Sequence, residues 1–330
     1  LARAEATDWL GRRGGVHVVA PDGMPAAERL HLEACARIVL DTRDGALAER
    51  WARAAAPPPL LPRFPPSLAH DVPAPARPRP ALAFDNGTGG FSPDGREYVI
   101  RVSAARPTPA PWCNVLASAE LGCLVSESGL GATWSLHAGE NRLTPWRNDP
   151  VLDPPSEVLY LRDEETAAVW SPTPRPAGGA TEVEVRHGAG YTTYEREDHG
   201  LAQRLTVFVP PGAAVKIVRL DVRNTLARHR RLTATYYAEW VLGSRRAEQQ
   251  PYIVSEHDRD HACLLATCHW DAERADRVAF LAASDQVHGF TADRTELLEQ
   301  CGGRAERRPS RPVDRDLAWD LAEHADSEPS

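Results

Sequence analysis

Lysine is almost absent: Lys216 is the only lysine among 38 basic residues, so arginine carries nearly all the positive charge. The arginines come with abundant alanine and proline, a bias we read as the mark of a GC-rich genome rather than of a site. Methionine is as scarce, with Met24 alone, and the chain opens on Leu1, so it is expected to be a segment of a longer polypeptide. Excess positive charge is also missing. At a net charge of -8, the chain lacks the concentrated Lys and Arg that phosphate contacts require, which removes nucleic acid from the expected partners. No apolar run approaches the roughly 18–20 residues that span a bilayer, and residues 1–15 hold no signal-peptide core. Six cysteines, at 35, 113, 123, 263, 268 and 301, are too dispersed for the framework of a small secreted domain. Free thiols in a reducing compartment are expected.

What remains is ample for folding, since 42% apolar residues over 330 can fill one large core or two ordinary ones. Residues 25–54 read as helix: Leu30, Ala34 and Ile38 recur at four-residue spacing, and Arg43-Asp44-Gly45 supplies a stop before a second short turn through Leu47 and Trp51. Residues 56–80 then hold ten of the 29 prolines. That density forbids helix interiors and sheet ladders and favours an extended spacer. From Phe84 the hydrophobic period becomes two. Val183 and Val185 alternate with Glu182, Glu184 and Arg186, and the same alternation runs through 201–209, 218–223 and 232–240. Shorter apolar runs lie at 98–102, 121–126, 158–161 and 278–281. The expected class is mainly β: a large antiparallel two-sheet β-sandwich, preceded by a short helical segment and a Pro-rich linker. The divisions are 1–55 helical, 56–83 linker, 84–303 sandwich and 304–330 an irregular or disordered tail rich in Arg, Asp, Glu and Pro.

Few residues announce chemistry. His261, Cys263, Cys268 and His269 suggest a metal cluster, but in a strand Cys263 and Cys268 point to opposite faces, so they read as plain strand residues. Gly87, Gly89 and Gly90 lack the Gly-Lys-Ser/Thr ending of a phosphate loop and read as a tight turn. Residues 134–163 differ. Glu140, Asn141, Arg142, Thr144, Trp146, Arg147, Asn148, Asp149 and Asp153 gather polar, planar and aromatic groups among Pro145, Pro150, Pro154 and Pro155. Sugars match such a set, since hydroxyl arrays pair with Asn, Asp and Arg and their C–H faces pack on indoles such as Trp134 and Trp146. A loop pinned by its own Asn and Asp turns, with both tryptophans as core anchors, would carry the same residues, and composition alone favours that loop. Acidic candidates for a glycosidase pair (Asp149, Asp153, Glu157, Asp163, Glu164, Glu165) are numerous, and no spacing singles out two of them. Arg162-Asp163-Glu164-Glu165-Thr166 reads as a charged hairpin turn between Leu161 and Val169.

Taken in order, several segments resemble one family. They are Asn86-Gly87-Thr88-Gly89-Gly90-Phe91, Gly95-Arg96-Glu97-Tyr98-Val99-Ile100, Thr108-Pro109-Ala110-Pro111-Trp112, Val125-Ser126-Glu127-Ser128-Gly129, Glu140-Asn141-Arg142-Leu143-Thr144-Pro145-Trp146, Asn148-Asp149-Pro150, Tyr160-Leu161-Arg162-Asp163-Glu164-Glu165-Thr166 and Glu239-Trp240-Val241-Leu242-Gly243. The resemblance is to the cellobiose phosphorylases and cyclic β-1,2-glucan synthases, glycoside hydrolase family 94, and within it to the synthase branch. It covers residues 84–303 and implies the family's N-terminal supersandwich, a galactose mutarotase-like sandwich. Leu136-His137-Ala138-Gly139, before Glu140, departs from the usual synthase pattern, and 304–330 departs from its Gly-rich continuation.

In this family the catalytic Asp and the phosphate-binding residues sit on a helical barrel that follows the sandwich, so no catalytic residue, cofactor or metal is expected here. The resemblance also implies a carbohydrate-binding and scaffolding role in β-glucan metabolism. The expected partners are a β-glucan or glucose-containing oligosaccharide, the C-terminal helical barrel of the same polypeptide and a second copy as a homodimer. The expected location is cytoplasmic, at the inner face of the bacterial inner membrane. With the family in view, sugar contact becomes the preferred reading of Trp134, Asn141, Arg142, Trp146, Asn148 and Asp149. The alternative function is a self-sufficient glycosidase or sugar-modifying sandwich enzyme.

Overall fold

The computed structural model describes residues 17–19, 24–35, 80–103, 106–270, 276–292 and 320–324. The chain divides into two compact units, Leu1–Pro57 and Pro58–Ser330. In the first, helix α1 (Ala26–Cys35) starts after Pro25, whose carbonyl accepts the Arg29 N–H at 3.1 Å. Glu28 in the first turn complements the positive end of the helix dipole. The rest of the expected helix to residue 54, and the linker up to residue 79, lie outside the described residues. No described helix is long and apolar enough to cross a membrane.

The second unit is antiparallel β structure in three sheets. Six strands form one sheet: β1 (Gly89–Phe91), β2 (Glu97–Val102), β8 (Val183–Gly188), β9 (Tyr191–Asp198), β10 (Leu201–Phe208) and β11 (Ile217–Asn224), paired in that order. The larger sheet runs β16 (Val287–Gly289), β17 (Asp320–His324), β12 (Arg231–Ala238), β6 (Glu157–Asp163), β5 (Leu130–Ser135), β4 (Leu121–Ser126) and β3 (Cys113–Ala117), with β7 (Val169–Trp170) also paired to β6. The small third sheet is β13 (Ile253–Asp258), β14 (Cys263–Cys268) and β15 (Ala279–Ala282). Between β12 and β13 lie a four-residue helix, α2 (Arg246–Gln249), and a 3-10 turn, Gln250–Tyr252.

Alternation explains the packing. Along β10, Leu201, Leu205 and Val207 are fully buried while Arg204 faces water, so this strand buries one face and solvates the other, whereas β4 and β6 are largely buried on both faces. Ile100, Val102, Val183, Val185, Leu205 and Val207 from the six-stranded sheet meet Leu116, Leu121, Cys123, Val125, Leu130 and Leu159 from the larger one. Burying each large aliphatic side chain contributes about 1.5–3 kcal/mol. Tyr194, also fully buried, crosses this core and donates its hydroxyl to the carbonyls of Ser126 at 2.6 Å and Gly129 at 3.1 Å. A second core cluster of Leu161, Trp170, Leu201 and Leu232 lies beside buried ion pairs. There Asp163 pairs with Arg230, Arg196 with Asp198, and Trp170 Nε1 donates to Gln203 at 2.9 Å. The β9–β10 turn is His199-Gly200, both at positive φ, the geometry a two-residue hairpin needs to match strand twist.

Two expectations need correction. The apolar run at 278–281 does not join the sandwich; as β15 it pairs with β14 in the third sheet. The strand expected to reach Trp240 ends at Ala238, because residues 239–243 turn away and bond elsewhere: Val241 N–H donates to Leu143 O at 2.9 Å and Gly243 N–H to Arg142 O at 2.8 Å. Of the tail expected to be irregular or disordered, residues 304–319 and 325–330 lie outside the described residues; Asp320–His324 form β17, which pairs with β12 and β16. Leu317, Trp319 and Leu321 already recur every second residue, a strand period inside a charged composition.

Candidate functional site

The segment singled out in the sequence begins inside the larger sheet. Trp134 is a ladder residue of β5 opposite Gly122, and its ring lies flat enough on that glycine that an added Cβ would come within 2.5 Å of it. The chain then leaves the sheet at Leu136, which takes the left-handed φ of 62°. His137 Nδ1 accepts the N–H groups of Gly139 at 3.2 Å and Glu140 at 3.0 Å. Asn141, 8% exposed, closes the turn by donating its amide to Ser135 O at 3.0 Å, while Ser135 N–H donates to Asn141 O. Arg142 Nε donates to Ala138 O at 2.9 Å, and its backbone bridges Trp134 to Gly243.

Further on, Asp149 caps a turn by accepting the N–H groups of Val151 and Leu152, each at 2.9 Å. The Leu152 and Val151 bonds hold its carboxyl below the ordinary aspartate value. Asn148 and Asp153 take positive φ values of 47° and 39°, and Ser126 donates its hydroxyl to Asp153 at 2.5 Å. Between these turns Trp146 is 44% exposed. Its neighbour Arg147 donates to Glu239 at 3.1 Å, and Arg246 of α2 binds the same carboxylate.

On the inner side of this segment lies a cavity of about 880 Å³, walled by the larger sheet, β11 and β15. Asn141 alone among the six expected sugar contacts lines it. The residues that give the cavity its charge lie outside that set of six. Glu157 at the start of β6 pairs with Lys216, and their side chains are 5% and 8% exposed. Thr133 donates to Glu157 at 2.5 Å, Thr144 donates to it at 2.9 Å, and Tyr236 donates to its second oxygen at 2.5 Å. Lys216 Nζ also donates to Thr133 at 2.8 Å. Burial by itself would raise the Glu157 carboxyl, but the Lys216 charge and these hydrogen bonds carry it below the usual glutamate value. Burial, then the Glu157 charge, push the Tyr236 phenol well above the usual tyrosine value.

Other polar groups are structural. Glu127, 3% exposed, binds the Thr108 hydroxyl and accepts the Trp112 N–H at 2.6 Å, so it straps residues 108–112 to β4; burial raises its carboxyl. Asn86 accepts the Thr88 and Gly89 N–H groups at 3.0 and 2.9 Å around Gly87, at φ 89°, as a tight turn requires. Asp163 accepts the Glu165 and Thr166 N–H groups in the β6–β7 hairpin. Cys113, Cys123, Cys263 and Cys268 are free thiols, and burial pushes Cys113 and Cys123 up to about 11. Among the described residues no three His, Cys, Asp or Glu side chains gather as metal ligands.

A family model described as "Glycosyl hydrolase 94, supersandwich domain" matches residues 96–316, two thirds of the chain. The chain belongs to this family. Over 223 residues, 67% of its length, the supersandwich is 37% identical to the cyclic beta-(1,2)-glucan synthase NdvB of Rhizobium meliloti (strain 1021). It is 31% and 29% identical over 171 residues to the N,N'-diacetylchitobiose phosphorylases of Vibrio furnissii and Vibrio proteolyticus. The matched stretch spans 8% of the synthase and 21% of each phosphorylase.

Within the supersandwich the expected sugar contacts divide by what already holds them. Asn141, Arg142 and Asp149 bond to the segment's own backbone, and Trp134 packs on Gly122. Trp146 and Asn148 present side chains to solvent. Sequence reasoning missed Lys216 and Tyr236, and it passed over Glu157 as one acid among many. The available signal was the rarity of lysine itself.

Proposed function

We propose that this supersandwich is a noncatalytic carbohydrate-contacting and scaffolding module of an enzyme that builds or phosphorolyses β-glucans. The observation that carries the reading is Trp146: a large indole 44% exposed on a segment whose flanking polar residues are tied down. A ring held in place by its neighbours offers a stacking face to a glucose unit without having to be ordered first. The names of its relatives support a glycan ligand, since one is a cyclic glucan synthase and two are phosphorylases. Trp146 and Asn148 touch the sugar, whereas Trp134, Asn141, Arg142 and Asp149 shape the surface beneath them. Catalysis in this reading belongs to a helical barrel of the same polypeptide, which the sandwich supports. A second copy is a candidate partner, and the cytoplasmic face of the inner membrane is the proposed location.

Titrating a β-1,2-glucan against intrinsic tryptophan fluorescence tests the binding half. One stacked indole contributes about 1 kcal/mol beyond area burial, so the expected dissociation constant is about millimolar, near -4 kcal/mol. Trp146→Ala should remove most of the response and leave the melting temperature unchanged; an unaltered response sinks the assignment. Incubation with glucan, with and without phosphate, tests the noncatalytic half. Release of glucose 1-phosphate or of reducing sugar by the purified chain would establish the self-sufficient enzyme instead.

A further inference from the structure

The cavity beside Lys216 has a wall chemistry of its own. Its volume, about 880 Å³, suits a small molecule, and Leu143, Leu159, Leu220, Val278 and Trp240 give it mainly apolar sides. Five charged side chains line it among the described residues: Arg219, Arg277 and Asp285 are exposed and belong to its rim, while Glu157 and Lys216 form the buried pair in its depth. Glu157 accepts from Thr133, Thr144, Tyr236 and Lys216, which uses the roughly four acceptor directions a carboxylate has. It has nothing left for the hydroxyl donors of a ligand. Lys216 is in the opposite state. Its ammonium carries three N–H groups, and the described residues take two of them, at Thr133 and Glu157. The pair as a whole is neutral, so a second anion brought to that N–H would also lie against the Glu157 charge, inside a wall of low polarity.

We propose that this cavity binds an uncharged amphiphile: an apolar body ending in a single acceptor oxygen, hydroxyl or carbonyl, which takes the remaining Lys216 N–H. The body lies along Leu143, Leu159 and Leu220, and the oxygen reaches the ammonium. A monosaccharide is a poorer match at that depth, because its donors beside Lys216 would need acceptor positions that Glu157 has already committed, and the other polar lining residues, Ser135, Asn141, Ser284 and Asp285, are too few for a full ring of hydroxyls. This site is separate from Trp146, which does not line the cavity, so its fate is independent of the glucan reading.

Isothermal titration calorimetry on the full chain tests it with three probes: 1-octanol, octanoate and glucose. Octanol should give a saturable heat at pH 7.5, octanoate at least tenfold weaker binding, and glucose none. Two variants each narrow the cavity from a partly buried lining position: Val218→Trp, on the same face of β11 as Leu220, and Ala234→Trp from β12. Urea unfolding identifies which of them keep the wild-type midpoint, and each such variant should lose the octanol heat. The proposal is overturned if octanol gives no saturable heat, if octanoate binds as well as octanol, if glucose binds and competes, or if a stably folded filled variant binds octanol undiminished.

Discussion

Replacing Lys216 by Met leaves the Glu157 carboxylate 5% exposed with its counter-charge gone and three hydroxyl donors remaining. Removing one partner of a buried pair costs about 3–5 kcal/mol, because an uncompensated charge stays inside. The three hydroxyls keep this case at the lower end, about 3 kcal/mol. At about 2–4 °C per kcal/mol for a domain of this size, the melting temperature should fall by about 6–12 °C. The pH dependence discriminates the cause. In the wild type the Glu157 carboxyl lies below its unfolded value, so the pair contributes stability that is complete above the unfolded value and is lost as pH falls through the folded one. In Lys216→Met the burial that raises the carboxyl is no longer opposed by the lysine, so the variant is relieved by protonation and regains stability as pH falls. The gap between the two proteins should therefore be widest near pH 7.5 and narrow toward pH 5. Urea unfolding at both pH values, with unchanged denaturant slopes, reads it directly. Adding Glu157→Gln to Lys216→Met should recover at least half of the loss at pH 7.5. A deficit below about 1 kcal/mol, or one that does not change with pH, refutes the reasoning.

Three further substitutions test the scaffold by thermal or urea unfolding. Gly122→Ala places a Cβ 2.5 Å from the Trp134 ring and should cost about 1–3 kcal/mol by overpacking, with no loss if the indole simply swings away. Tyr194→Phe leaves the Ser126 and Gly129 carbonyls without their shared donor in the core and should cost about 1–3 kcal/mol; a neutral result would show that neither bond matters. Asp163→Asn removes the partner of Arg230 from a site where the aspartate is fully buried, and should cost about 3–5 kcal/mol at neutral pH. The Asp163 carboxyl is held below its usual value although burial opposes this, so the cost should shrink as pH falls through the folded carboxyl value.

Several strands were legible because polar and apolar residues alternate along them. Leu201–Phe208 alternates in burial as it alternates in sequence, and the same alternation located β8, β11 and β12, whereas β2 and β4 were read from short apolar runs. The period cannot say which sheet a strand joins, and so β15 was assigned to the wrong one: pairing with β14 rather than with the sandwich is a long-range choice. In the candidate site the residue types were read correctly but their roles were not, because Asn and Asp serve turns as readily as ligands. Asp149 caps two N–H groups, and nothing in its own neighbourhood of sequence distinguishes that from a sugar contact. The Glu157–Lys216 pair spans 59 positions, and no local pattern encodes a contact of that range.

Burying the only lysine also determines what chemistry the outside of the molecule offers. Apart from an α-amino terminus, no primary amine is presented to solvent, because Lys216 is 8% exposed and engaged by Glu157. Acylating reagents too bulky for the cavity should leave the folded chain's interior amine intact, and amine-directed cross-linkers have no side chain on this surface to grip. Toward a reagent too bulky for the cavity, Lys216 becomes reactive only when the strands around it part. The rate at which such a reagent labels it, at a concentration high enough that labelling outruns reclosing, therefore counts openings of the sandwich one molecule at a time, with the single lysine as a built-in clock.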